Sequence, residues 1–246
     1  MRKSSITIAL INLALLGPLA FTQTPNVSPT ITATLTGEVT LIPSDSDQRV
    51  NDASRVIVWV SPVDHSHLTL ATAEKQQHFR VVQHNKRFEP SLLVVPVGST
   101  VDFPNLDPWF HNVFSLYQGK RFDLGLYQAG AQKSVRFDRP GPSYLFCNIH
   151  PEMTGVILAV DSEFFAASNK VGHYSIAAIP PGKYMLHVWY ESATTEALQA
   201  LERMIVVDSA NLPFTAISIP VTKPMPREHK NKYGEKYDPD SVKTVY

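Results

Sequence analysis

The chain's one cysteine lies in Leu145-Phe146-Cys147-Asn148-Ile149-His150-Pro151-Glu152-Met153, so a thiol, an imidazole and a thioether follow at the spacing C-x2-H-x2-M. These are donor types that a copper ion prefers. Given 9 His and 5 Met in 246 residues, shuffling would place both at those offsets about once in 1300 trials; admitting roughly twenty related spacings raises this to roughly 1 or 2%. That is a signal and not a proof. A helix would also align positions i, i+3 and i+6, but the β-rich flanks and Pro151 favour a loop between two strands, where a tight turn folds the three side chains inward. A trigonal site needs a second imidazole, and the segment from Val101 to Ser115 supplies one in His111.

The remaining histidines carry weaker readings. His65 and His67 form an H-x-H after Pro62 that fits a solvated loop better than a second metal site. His78, His84 and His187 fall near or on strands, His173 in a turn and His229 near the C-terminus; each reads as structural or solvent-exposed. Hydrolytic chemistry has less support, because neither G-x-S-x-G nor H-E-x-x-H occurs, and the lone Cys is better explained as a ligand than as a nucleophile.

Composition narrows the class. Twenty-two basic residues balance 22 acidic ones, which removes the global electrostatic pull toward nucleic acid or an anionic membrane. One cysteine cannot form an internal disulfide. Pro 19 against Gly 11 reverses the usual order and suits a strand-and-turn protein, while 43% apolar residues are ample for a core. At the N-terminus, Met1-Arg2-Lys3 and the apolar run from Ile6 to Leu16 match a secretory signal over residues 1–24. The run is too short to span a bilayer, and cleavage falls after Ala20 or nearer Thr24. Residues 223–246, with three prolines, many charges and no apolar period, read as a mobile tail.

Between the ends the expected class is all-β. Ile31, Ala33, Leu35 and Val39 alternate with polar residues, and Val56 to Val60 is a second β-rich run. Further strands are expected near 79–84, 92–96, 100–103, 112–117, 134–137, 143–147 and 155–160, then near 172–176, 184–189, 204–207 and 214–219, with one helix over 195–203. Short strands separated by turns such as Pro96-Val97-Gly98 and Pro140-Gly141-Pro142 argue for sandwiches.

Two resemblances sharpen this. Val97-Gly98-Ser99-Thr100-Val101-Asp102-Phe103, the His111-Asn112-Val113 step, Pro140-Gly141 ahead of Tyr144, and the loop from Cys147 to Met153 resemble the cupredoxins, with a ligand loop similar to that of amicyanin. This resemblance covers residues 78–161. It implies a Greek-key β-sandwich with one type 1 copper, held by His111, Cys147 and His150 in a strong plane with Met153 as the weak axial contact. By the same resemblance the Asn112 side chain would brace the ligand loop, and Phe103, Phe114, Phe137 and Phe146 would pack near the metal. Secondly, the segment from Phe165 to Ile176 followed by Ile179-Pro180-Pro181-Gly182-Lys183-Tyr184 resembles a carboxypeptidase-regulatory or transthyretin-like, Ig-type β-sandwich, whose start resembles Thr36-Gly37-Glu38-Val39 with Val56 to Val60. Residues 30–64 with 162–222 would then form one discontinuous sandwich around the copper unit. The composite resembles bacterial exported proteins loosely labelled methylamine utilization proteins.

The expected function is that of a periplasmic or secreted blue-copper electron carrier, not an enzyme, exchanging electrons with unknown donor and acceptor proteins through a partly exposed edge of His150. Nucleic acid is not expected as a partner, nor is membrane insertion after signal cleavage. The alternatives are a copper chaperone or store using the same ligands, and a carbohydrate-binding or adhesion sandwich in which copper is structural.

Overall fold

The computed structural model describes residues 32–43, 52–64, 77–116, 119–208, 212, 214–221 and 230–236. The expected signal segment, the H-x-H at 65 and 67, His229 and most of the expected tail lie outside these residues. The described residues fall in one compact unit, 31–246, and the fold is all-β.

Among the described residues, seventeen strands and one short helix follow in chain order. They are β1 (Ala33–Pro43), β2 (Ile57–Pro62), β3 (His78–Arg80), β4 (Val82–His84), β5 (Arg87–Glu89), β6 (Leu92–Pro96), β7 (Thr100–Pro104), β8 (His111–Ser115) and β9 (Phe122–Tyr127). There follow β10 (Gln132–Arg136), β11 (Gly141–Phe146), β12 (Thr154–Val160), β13 (Phe165–Ala167), β14 (His173–Ile179), β15 (Gly182–Trp189), helix α1 (Thr195–Gln199), β16 (Arg203–Val207) and β17 (Thr215–Val221). The helix is shorter than the expected 195–203. Thr194 caps it by accepting from the Ala197 N–H at 3.2 Å. β9 was not expected at all: Gly125, at φ +64, interrupts the β pattern of Phe122-Asp123-Leu124-Gly125-Leu126-Tyr127.

The main sheets have the strand orders β14-β1-β17, β13-β2-β15-β16, β6-β12-β11-β8-β9 and β10-β7-β3, with β4 and β5 as a separate hairpin. Three apolar clusters join the four sheets into a stack. The first, with Leu35, Val58, Ile176, Leu186 and Ile219, fills the space between the first two sheets. Val101, Phe103, Leu145, Ile157 and Phe137 belong to a second cluster, between the last two. A third, with Ile57, Trp189, Val156, Leu158 and Val160, lies where the two inner sheets meet.

The burial pattern of each strand follows from its layer. β1 lies in an outer sheet and reads as alternating buried and exposed positions, the period-2 signature of a sheet covered on one face. β12 lies in an inner sheet, is buried at six successive positions, and is written as the apolar run Val156-Ile157-Leu158-Ala159-Val160. The strands of 33–62 and 165–221 share the first two sheets, and those of 78–160 share the others.

Candidate metal centre

The candidate metal centre lies at one end of the five-stranded sheet and is built by two local structures. In the first, Phe146 of β11 pairs with Thr154 of β12, so Cys147 to Met153 is the connecting loop of an antiparallel hairpin. Within it, the Met153 N–H donates to the His150 carbonyl at 3.0 Å, closing the turn that folds Cys147 and His150 to one side. The second is the segment from Asn105 to Phe110 that feeds β8. The Asn105 side chain donates from Nδ2 to the Trp109 carbonyl at 2.7 Å and accepts the Asp107 N–H at 3.0 Å, while its backbone N–H donates to the Ala131 carbonyl at 2.9 Å. A buried Asn that satisfies three groups fixes where β8 starts, and His111 is the first residue of that strand.

The two structures bring three predicted ligands together. The donor atoms of His111, Cys147 and His150 all lie within 4.8 Å of one another, and all three residues are buried. Nδ1 of His111 and Nδ1 of His150 are 3.1 Å apart, and the Cys147 Sγ lies 4.0 Å from the first and 3.6 Å from the second. An ion bound at about 2.0–2.3 Å from nitrogen and sulfur needs donors roughly 3.3–3.8 Å apart, so the observed triangle brackets the required one. Met153 is fully buried in the same cluster as Cys147. One thiolate, two imidazole nitrogens and a nearby thioether form a donor set that suits copper.

The electrostatics favour ligation over charge. Burial pushes His111 below its ordinary pKa against the pull of the Asp107 carboxylate, and burial with the neighbouring His111 pushes His150 down to about 4. Both rings are therefore neutral near pH 7, as metal ligation requires. Burial pushes the Cys147 thiol up, opposed by the backbone N–H groups of Asn112, Ile149 and His150 that face the sulfur. These N–H groups are poised to stabilise a thiolate once a cation draws the proton off.

Several expectations need correction. His150 is only 3% exposed, so the solvent-reaching ring edge expected of it is covered. The side chain of Asn112 does not reach the ligand loop: Nδ2 donates to Asp123 Oδ1 of β9 at 2.7 Å, its Oδ1 is left without a hydrogen-bond partner, and its backbone N–H is what faces Cys147. Of the four phenylalanines, Phe103 and Phe137 share the cluster of Cys147 and Met153. Phe114 and Phe146 lie outside it and pack on each other across β8 and β11, with centroids 5.7 Å apart. Part of the expected mobile tail is also in place. The Lys232 N–H donates to Asn148 Oδ1 in the ligand loop at 3.0 Å, and its Nζ donates to Asp123 Oδ2 at 2.8 Å.

Asp107 was missed by the sequence reading. Its Oδ2 lies 2.8 Å from His111 Nε2, with both side chains buried. Burial would raise its pKa, but the Lys86 N–H, the His111 ring and the Asn85 N–H together hold it below the usual carboxylate value. The available signal was an Asp four residues before a candidate ligand, inside the turn-forming run Asn105-Leu106-Asp107-Pro108.

No family model matches the chain, and no curated protein matches its sequence. Solved structures do resemble it over part of its length. A purple cupredoxin from Nitrosopumilus maritimus is 23% identical, with TM-score 0.31, covering 33% of this chain and 99% of its own. A reduced amicyanin variant is 23% identical with TM-score 0.33, over 41% of this chain and 98% of its own. The copper-containing nitrite reductase of Thermus scotoductus is 24% identical with TM-score 0.35 over 50% of this chain; the match spans 28% of that enzyme's length.

Proposed function

We propose that this chain is an exported mononuclear copper protein that carries single electrons between partner proteins and makes no substrate bond of its own. The observation that supports it most directly is the buried triangle of two Nδ1 atoms and one Sγ. Bound there, copper would supply a one-electron couple between Cu(I) and Cu(II). The residues of the chain do the rest. His111, Cys147 and His150 present the strong donors, Met153 is the weak fourth, and the N–H groups of Asn112, Ile149 and His150 help to stabilise the thiolate that a bound cation would create by displacing the proton. Burial of all four side chains excludes water, and their attachment to β8 and the β11–β12 hairpin limits movement when the charge changes. The same burial weighs against a chaperone, which needs its metal within reach of an exchanging partner. Export rests on the N-terminal basic and apolar segment.

Protein loaded with Cu(II) should show an intense visible band from sulfur-to-copper charge transfer, lost in Cys147→Ser. Met153→Leu should keep both band and copper while making the metal easier to reduce, because loss of a weak donor disfavours the more charged state. A small one-electron reductant should bleach the band reversibly without releasing metal to a Cu(I) chelator. A colourless, EPR-silent Cu(II) adduct, or rapid transfer of copper to the chelator, would overturn the carrier reading.

A further inference from the structure

We propose that Asp107 is a positioning residue of the metal centre, acting through His111: its carboxylate fixes which ring nitrogen faces the metal and biases the site toward the more highly charged metal state. The proposal rests on the reading of the site as a copper centre.

A carboxylate accepts hydrogen bonds and cannot donate one when ionised. With Asp107 Oδ2 at 2.8 Å from Nε2, the His111 proton must sit on Nε2. Nδ1 is then left with its lone pair, and Nδ1 is the atom that faces His150 Nδ1 and Cys147 Sγ. Left free, neutral imidazole would divide its proton between two tautomers, and the Nδ1–H form cannot ligate on that side.

The carboxylate is itself held from elsewhere. The β4–β5 hairpin turns through Asn85 and Lys86, both in the left-handed region at φ 52 and 54. Consecutive left-handed residues turn their N–H groups to the same side, making an anion-binding concavity. The Asn85 N–H donates to Oδ1 at 2.7 Å and the Lys86 N–H to Oδ2 at 2.9 Å. Asp107 closes the arrangement by donating its own N–H to Asn105 Oδ1 at 3.0 Å. It therefore cannot swing away from His111 without giving up two hydrogen bonds to the turn. A buried negative charge against the far side of the ring makes Nδ1 a stronger donor, which favours Cu(II) over Cu(I).

Two substitutions separate position from charge. In Asp107→Asn the amide oxygen can take the place of Oδ2 and keep the bonds to Nε2 and the Lys86 N–H, with the charge gone and the Asn85 N–H, now facing the amide NH2, deprived of its acceptor. In Asp107→Ala both bond and charge go. In metal-free protein, ring-nitrogen NMR should find His111 protonated at Nε2 in the parent and in Asp107→Asn, and divided between tautomers in Asp107→Ala. With copper, Asp107→Asn should raise the ratio of Cu(I) to Cu(II) affinity about tenfold, an upward shift in potential of about 59 mV. A merely structural tie between hairpin and loop would lower the melting temperature of both variants and move neither readout. If Asp107→Ala does not fold, Asp107→Asn decides. An unchanged tautomer in Asp107→Ala, or an affinity ratio within twofold of the parent in Asp107→Asn, overturns the proposal. A parent protein that takes up no copper defeats the copper reading instead, and the tautomer result then decides the role of Asp107.

Discussion

The two halves of the stack solve the burial problem differently. Between the sheets of β1 and β2, the cluster is built from aliphatic side chains and two tyrosines. Of the thirteen buried polar or charged side chains among the described residues, ten lie within 78–161: Gln83, Ser99, Thr100, Asn105, Asp107, His111, Asn112, Ser115, Ser143 and His150. The three outside are the serines 61, 162 and 168. Burying a polar group costs about 1–3 kcal/mol unless it is hydrogen-bonded, and Gln83 Oε1, Asn112 Oδ1 and Ser115 Oγ are buried without partners. A half that accepts such costs is shaped by something besides folding, and the metal site is the candidate.

The contrast is tested most severely by cutting the chain. β1 is the middle strand between β14 and β17, and β2 lies between β13 and β15. A piece spanning 162–246 lacks β1 and β2, so β13, β14 and β17 lose the strand they pair with and β15 keeps β16 alone. It should show no cooperative thermal transition. The piece 78–161 keeps both of its main sheets intact and should retain the visible copper band. It should also melt lower than the full chain, because Val156, Leu158 and Val160 lose their cover. A cooperative transition from the isolated C-terminal piece would defeat the proposal that 30–64 and 162–222 form one interrupted sandwich.

Paired substitutions sharpen the same contrast at lower amplitude. Leu186→Ala, deep in the apolar half, should cost about 2–5 kcal/mol of unfolding free energy and leave the copper band of the folded protein unchanged. His150→Leu should abolish strong copper binding, yet change the stability of metal-free protein by less than about 1.5 kcal/mol or raise it, since an apolar side chain of similar volume replaces a buried imidazole. Chemical denaturation of both metal-free variants measures this. A loss from His150→Leu as large as that from Leu186→Ala would show that the polar half is polar for stability.

What could be read from the sequence follows from how local each feature is. Cys147, His150 and Met153 occupy seven residues of one hairpin loop, so their spacing carries the geometry. The buried run of β12 and the alternation of β1 were equally legible, because each depends on the layer the strand occupies. Asp107 was not, since its role depends on a turn at Asn85 and Lys86 about twenty residues away in sequence. Nor was β9, where Gly125 breaks the alternation and the pairing with the preceding strand β8 itself shifts register between Asn112 and Phe114. The burial of His150 depends on what packs over it, which spacing cannot express. The place of Lys232 was hidden for a similar reason: a charged, Pro-containing run resembles a free tail until a partner such as the partly exposed Asp123 carboxylate is known to await it.

That last contact gives the smallest expected effect, and its pH dependence identifies it. Burial would raise the pKa of Asp123, but the Lys232 ammonium, the Gly125 N–H and the Asn112 amide hold it below the usual value. Lys232 is pushed up, mainly by its hydrogen bond to Asp123. A depressed carboxylate stabilises the fold above its unfolded pKa, about 3.9, and loses that contribution as pH falls through its lower folded value. A raised lysine contributes below about 10.4 and loses its contribution as pH rises through its higher folded value. The two windows overlap from about pH 4 to 10. Lys232→Ala should therefore lower stability by a constant amount across that range, below about 1 kcal/mol because the pair is partly exposed and screened by solvent. The difference from the parent should shrink toward pH 3. Melting curves of the two proteins at pH 3, 5, 7 and 9 measure it, and a deficit that persists undiminished at pH 3 would show that Lys232 acts through something other than Asp123.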